Sequence, residues 1–461
     1  MIRALVTAAA LTLLAALPAR AIDIQQVTSP GGIGAWLVED HSIPFVALNI
    51  AFRGGASVDP EGKRGAVNLM TGLLEEGAAD RDATQWAEAM EALGASASFN
   101  VGDDALTVSL RALTENRDAA ADLVRDALTA PRFDTDAVER VRAQVQSIIR
   151  AEASEPNAIA AKAMAARLWG SHPYGSSLNG TEDSVAALTV DDLRAAKDRV
   201  LARDRVIVSA AGDIDAATLG ALVDRILGDL PATASVPLPP AATPQFDGQT
   251  TVIDWDSPQT VVAFAQPGLP MSDRDYFAAF VLDHILGGGG FSSRLMDEIR
   301  EKRGLTYGVG TGLANQVLGE SWQGGMATAN ARTGEAVALV REVWGKIREG
   351  VTDREVADAK TYLTGEYPLR FDGNGKIAGI LTGMQLMGMP RDYVNTRNPQ
   401  IEAVTVEDVN RVAQRLLDPA RLSFVLVGRP EGLCRAAATK TAAVPRGAAA
   451  VSLAMDAGQR T

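Results

Sequence analysis

"LTVDDLRAAKDRVLARDRVIVSAAGDI" (residues 188–214) reads as an amphipathic helix with a Thr-Val-acidic-Asp start, followed by an apolar strand that ends on glycine. The same pattern returns as "VTVEDVNRVAQRLLDPARLSFVLVGRP" (404–430). Thr189 corresponds to Thr405 and Gly212 to Gly428, a constant offset of 216 residues (405 − 189 and 428 − 212). A period this long is that of a duplicated domain rather than a solenoid. Between the copies lies "DLPATASVPLPPAATPQFDGQ" (229–249), rich in Pro, Ala and Thr, whose repeated prolines cannot sustain a regular helix or a central strand. The expected organisation is an N-terminal domain over 22–230, a linker over 231–245 and a C-terminal domain over 246–435.

Element order repeats within each half. In the first, "WLVEDHSIPFVALNIAFRGG" (36–55) predicts two strands, then come helices over 64–78 and 83–93, a hairpin over 96–113 turning at 102–104, and a helical tract from Asn116 to Ala166 broken near Pro131. The second predicts a strand at 260–268, helices around 272–286 and 292–302, strands near 305–329, and helices over 333–349 and 353–368. Strands grouped as hairpins with helices in runs predict an α+β fold. Each of its two homologous domains is a mostly antiparallel sheet with helices packed on one face, and the pair encloses a cleft.

At 461 residues, with 47% apolar and 22% charged side chains, the chain can build two large cores. A formal charge of −13 without clustered Lys/Arg argues against nucleic acid or an anionic membrane as partner. The single cysteine, Cys434, excludes an intrachain disulfide, a Cys-rich zinc cluster and a CxxC pair. "MIRALVTAAALTLLAALPARA" (1–21) places Arg3 before an apolar run and ends in Ala19-Arg20-Ala21, the pattern of a secretory signal peptide cleaved after Ala21. The run Ala4–Leu17 is too short to span a bilayer, and no later segment is long and apolar enough to do so. The expected location is periplasmic or extracellular. The Ala-rich tail over 436–461 lacks helical periodicity and is expected to be flexible.

"RGAVNLMTGLLEEGA" (64–78) follows a strand and a Gly-containing turn and carries Leu69, Leu73 and Leu74 at helical spacing. This context resembles the pitrilysin/insulinase family of zinc peptidases, which carry an inverted H-x-x-E-H motif on such a helix. There two His at i and i+4 hold Zn²⁺ and the Glu activates water. The resemblance puts Asn68 and Gly72 at the histidine positions and Thr71 at the base. An amide is a weak ligand, glycine has no side chain, and a Thr hydroxyl takes no proton at neutral pH. The family's further Glu ligand maps to the helix over 138–156, which has no carboxylate from Val141 to Ala151. The only histidines, His41, His172 and His284, stand far apart, so no register restores the motif. No metal and no cofactor are expected on this chain.

"HILGGGGFSSRLMDEIREKRGLTYGVGTGL" (284–313) resembles the family's C-terminal-domain signature of glycine loop, helix and Tyr-bearing strand. The resemblance implies that Arg300 and Tyr307 reach the substrate backbone and the tetrahedral intermediate, for which a guanidinium and a phenol are suited donors. Arg303 fits a cation at a glycine-capped helix end. The loop Gly287, Gly288, Gly289 and Gly290 has two readings, a plain turn or, by analogy with the non-catalytic subunit of the processing peptidase in the same family, a substrate-handling loop. "SHPYG" (171–175) is read as structural.

The pattern is similar to the inactive partner in a heterodimeric peptidase. This implies a non-catalytic subunit that supplies Arg300 and Tyr307 in trans to a homologous chain carrying H-x-x-E-H and the zinc, with peptides as substrates. The alternative is a standalone peptide-binding or scaffold protein. An active hydrolase of another mechanism finds no support, since there is no G-x-S-x-G, Cys/His pair or P-loop.

Overall fold

The computed structural model describes residues 22–433 and 438–441. The expected signal peptide, residues 1–21, lies outside the described residues, as does most of the Ala-rich tail. Two six-stranded sheets dominate. The first has the order β1-β2-β8-β3-β7-β6, from β1 (Gln25–Thr28), β2 (Gly34–Glu39), β3 (Phe45–Arg53), β6 (Ser96–Val101), β7 (Ala105–Leu113) and β8 (Val206–Gly212). A two-residue ladder, β4 (Gly77–Ala78) with β5 (Arg81–Asp82), stands apart. The second sheet has the order β11-β12-β10-β13-β9-β14, from β9 (Thr250–Asp254), β10 (Gln259–Pro267), β11 (Val309–Gln316), β12 (Gly319–Ala329), β13 (Ser423–Gly428) and β14 (Ala438–Thr441).

Read from opposite ends, the two orders coincide. β3 and β10 are each flanked by antiparallel neighbours, and the parallel pair β2/β8 has its counterpart in β9/β13. The outer places differ: β1 runs antiparallel to β2, whereas β14, the part of the tail that is described, runs parallel to β9. Residues 231–249 carry neither helix nor strand, and their backbone bonds to both sides, Gln245 N–H to Leu168 O at 2.8 Å and Ala242 N–H to Leu318 O.

The helices of the first half are α1 (Ala66–Gly72), α2 (Ala83–Ala92), α3 (Arg117–Thr129), α4 (Thr135–Glu152), α5 (Pro156–Trp169), α6 (Glu182–Ala186), α7 (Val190–Val200) and α8 (Ala216–Leu227). Those of the second are α9 (Tyr276–Asp283), α10 (Thr333–Lys346), α11 (Asp353–Glu366), α12 (Asn374–Leu386), α13 (Tyr393–Glu402) and α14 (Val406–Leu416), with wide π-turns at His284–Gly288 and Met296–Glu301. The tract expected from Asn116 to Ala166 breaks twice, because Pro156 forces Glu155 into extended backbone, where its carboxylate caps Ala158 N–H at 2.8 Å. The helix expected over 64–78 stops at Gly72.

Strand alternation decides what each sheet face can bind. Along β3, Val46, Leu48, Ile50 and Phe52 join Leu69, Met70, Leu73 and the first half's other helices in one core. Ala47 and Ala51 point to the other face. There, with Ala211 and Ile207, they meet Ala378 and Leu386 of α12, a helix from the second half. The second sheet mirrors this: Val262 and Phe264 enter its own core, while Ala263 and Ala265 receive Ala160, Met164 and Leu168 of α5 from the first half. Polar contacts fix both exchanges. Gln385 donates to Val208 O (2.9 Å) and Ser209 Oγ (2.8 Å), and Arg53 donates to Leu386 O (3.0 Å) and Gln385 O (2.8 Å). Arg167 donates to Thr251 Oγ1 (2.6 Å) and Phe424 O (3.3 Å).

Ala211 is fully buried between β3 and α12. Ala211→Leu should overfill this seam and lower stability by about 1–3 kcal/mol, read from the urea-unfolding midpoint. An unchanged midpoint would mean that α12 is not held against this face.

Candidate functional site

The metal end of the resemblance is built on α1. Asp59, half-buried behind the turn, accepts from Gly65 N–H (2.9 Å) and Val67 N–H (3.0 Å), and desolvation pushes its carboxyl up to about 6. Arg64 holds the neighbouring loop, donating to Ser177 O (3.0 Å), Pro173 O (3.1 Å) and the Asp103 carboxylate. Thr71 is 2% exposed and donates back to Val67 O at 2.7 Å, so the base position faces the core. At Gly72 an added Cβ would lie 3.0 Å from Val141 Cγ1, so the glycine lets α4 close onto α1. The inward residues of α4 are Ala137, Val138, Val141, Val145 and Ile149. Zinc ligands therefore do not fit here.

Asn68 takes part in a different contact. Its amide donates to Asn179 Oδ1 (2.9 Å), and Asn179 donates to Glu152 (3.2 Å), the last residue of α4. Burial brings the Lys162 ammonium on α5 down to about 8, opposed by the nearby Glu152 charge. Nothing in the sequence singles out Asn179. Glu152 lies on the stretch to which the family's acidic ligand maps, one residue beyond its carboxylate-free part, 141–151.

The donor end lies around the glycine loop. An added Cβ would meet Thr311 Oγ1 at 2.4 Å from Gly287, Asp283 Oδ2 at 2.5 Å from Gly288 and His284 O at 2.6 Å from Gly289, while Gly290 has φ +56° and open space. Asp283, fully desolvated, accepts from Thr311 Oγ1 (2.7 Å) and Trp322 Nε1 (2.6 Å), and burial pushes its carboxyl up to about 6. Three of the four glycines are thus required by packing against this buried acid and its neighbours.

Beyond the loop, Arg303 is occupied at the helix end, donating to Glu298 O (2.8 Å) and Glu298 Oε2 (2.6 Å). Arg300 pairs with Glu301 at 2.8 Å, and its guanidinium lies 4.5 Å from the centroid of the Phe291 ring. Thr306 Oγ1 donates to Ala327 O (2.7 Å) and accepts from Gly308 N–H (3.1 Å), anchoring the chain on either side of Tyr307. Tyr307 itself stands 89% exposed.

The three histidines are dispersed. His41 binds Asp213 at 2.6 Å on the surface, and His284 is buried and stacked on Tyr362 (4.9 Å), with burial holding its pKa down. His172 accepts from Tyr174 N–H at 3.2 Å. Tyr174 is buried, donates to Asp104 and accepts from Leu318 N–H at 3.0 Å, so "SHPYG" joins the two halves. Among the described residues no cluster of three or more His, Cys, Asp or Glu could hold a metal ion, and no hydrogen bond or ring contact joins Asn68, Thr71 or Gly72 to the glycine loop, Arg300 or Tyr307.

The sequence model described as Insulinase (Peptidase family M16) matches residues 35–182, and that described as Peptidase M16 inactive domain matches 187–363. An uncharacterized zinc protease of Mycobacterium tuberculosis is 31% identical over 414 residues, covering 87% of this chain and 92% of its own. The non-peptidase homolog YmxG of Helicobacter pylori is 26% identical over 392 residues, with 84% and 90% covered. Among solved structures, a peptidase M16 inactive domain from Pseudomonas fluorescens superimposes with a TM-score of 0.83 at 28% identity, covering 89% of this chain and 100% of that one. A protease from Helicobacter pylori shares the fold, with a TM-score of 0.79 at 16% identity over 88% and 99% of the two chains.

Rebuilding the ligand set by Asn68→His, Thr71→Glu and Gly72→His should fail, because a side chain added at Gly72 meets Val141 and the Thr71 side chain faces the core. The expected result is a lowered melting temperature and far less than one zinc per chain by elemental analysis. Stoichiometric zinc in a stable variant would refute this reading of the helix.

Asp283 allows a test by pH. Its folded-state pKa, about 6, lies above the ordinary 3.8, so the folded chain holds a proton that the unfolded chain releases. The stabilisation is complete below about pH 4 and is lost as pH rises through 6. Asp283→Asn keeps an acceptor oxygen and removes the charge. It should be more stable than the parent at pH 7.5 by on the order of 3 kcal/mol, a gap that closes towards pH 4 in urea titrations.

Proposed function

The chain belongs to the insulinase family, peptidase family M16, and on that premise we propose that it is the non-catalytic subunit of a periplasmic or secreted heterodimeric zinc peptidase. It is a peptidase-like, non-catalytic protein, and no helix among the described residues is long and apolar enough to cross a membrane. The partner in this reading is a homologous chain with an intact H-x-x-E-H, which supplies the zinc and the activated water. The leader-like first 21 residues support export.

The asymmetry between the two ends of the site carries the proposal. At the metal end Thr71 is sealed into the core and Gly72 is closed against Val141, whereas at the donor end Tyr307 is displayed to solvent. A large aromatic side chain left this exposed contributes little to folding and is available to a ligand. In the assembled enzyme the Tyr307 hydroxyl and the free N–H groups of Arg300 donate to the carbonyl oxygen of an extended peptide, and more strongly to that oxygen as it gains negative charge.

The test is a complex of this chain with a homologous H-x-x-E-H chain from the same genome, assayed on a quenched-fluorescent peptide. Arg300→Ala and Tyr307→Phe should leave assembly by gel filtration intact and lower kcat by about 10²–10³-fold, the usual cost of one oxyanion donor. A rise in KM alone would assign these residues to substrate binding. Full activity in both variants would make the chain a scaffold.

A further inference from the structure

Phe291 is a large apolar side chain left 67% exposed on the glycine loop. Its backbone is well held. Gly290, at φ +56°, makes the turn that presents it, Ser292 Oγ donates to Gly289 O (2.9 Å), and the buried Ser293 Oγ donates to Gly290 O (2.8 Å). The backbone that carries the exposed ring is therefore held on both sides. One of its faces is used: the Arg300 guanidinium lies over it, 4.5 Å from the centroid.

Stacking engages the plane of a guanidinium and leaves its N–H donors, which lie in that plane, free to meet acceptors at the edge. The other side-chain partner of Arg300 among the described residues is Glu301, its neighbour in sequence, on one terminal nitrogen. An adjacent carboxylate neutralises the charge without fixing the plane of the group. The Phe291 ring does fix it.

We propose that Phe291 is the positioning residue for Arg300, holding the guanidinium plane so that its free edge faces the peptide carbonyl, and that the glycine loop and Arg300 thereby act as one unit. The proposal rests on the reading that Arg300 contacts substrate in the assembled peptidase. The contact itself belongs to this chain alone.

The first measurement needs no partner. In the isolated full chain with isotope-labelled arginine, assigned by loss of the signal in Arg300→Ala, the Arg300 side-chain resonances should be displaced upfield by the ring current. They should return towards ordinary values in Phe291→Leu and stay displaced in Phe291→Tyr. The second uses the complex with the H-x-x-E-H chain and the quenched-fluorescent peptide. Phe291→Leu should lower kcat about two- to fivefold, as expected for one exposed stacked guanidinium, with KM unchanged. Phe291→Tyr should restore activity, and Phe291→Leu should cost nothing further in an Arg300→Ala background. Undisplaced Arg300 resonances, a change in KM only, or a Phe291→Leu defect that persists in full without Arg300 would overturn the proposal. If Arg300→Ala leaves activity unchanged, the reading that Arg300 contacts substrate fails, and the resonance shifts still decide whether Phe291 holds Arg300.

Discussion

The small side chains on the second face of each sheet are the constraint on which the rest of the molecule depends. Ala47, Ala51 and Ala211 in one sheet, and Ala263 and Ala265 in the other, let a helix approach the strands closely. The helix that does so comes from the opposite half, α12 on the first sheet and α5 on the second. The two helices occupy matching places in the duplicated sequence, so the exchange follows the repeat. Each half is thus incomplete alone, with a face of alanines where its partner's helix belongs. The Arg53 and Arg167 contacts secure the two seams.

The residues of α1 do not form the zinc ligand set for a reason of the same kind. The resemblance puts ligands on α1 and α4, where an ion would hold the two helices together. Here they meet directly, Gly72 against Val141, and through the chain Asn68–Asn179–Glu152. Packing has taken over the role of a bridge, which leaves the helix with structural work only. The donor end has had no such closure. Its glycines fit around Asp283, while Arg300, Phe291 and Tyr307 remain at the surface.

The sequence disclosed the parts of this arrangement that depend on local rules. Thr189 with Asp192 and Thr405 with Asp408 form matching capping boxes, and Gly212 and Gly428 end equivalent strands at φ +121° and +153°. Loss of the zinc motif was legible from residue types alone. Helix α12 was not. Its sequence, NGKIAGILTGMQL, includes Gly375, Gly379 and Gly383, each a weak helix former, and it has no polar stripe of the usual kind. Its stability comes from an alanine face more than 160 residues earlier in the chain (374 − 211 = 163), and local pattern cannot report that distance. The burial of Thr71, the Gly72–Val141 contact and the Asn179 bridge were hidden likewise, since each depends on segments far apart in sequence. So did the stacking of Arg300 on Phe291, nine positions apart across a loop and a π-turn.

The helix exchange also sets an order in time. When Gly212 leaves the ribosome the last strand of the first sheet exists, but Leu386, at the end of the helix that covers its alanine face, is 174 residues away (386 − 212). At about 5–20 residues per second, that is a wait of roughly 10–35 s. Meanwhile α5 is already made and has no sheet to dock on. The chain must therefore pass through much of its synthesis with both of its seams open, and closing them is one of the last events of its folding.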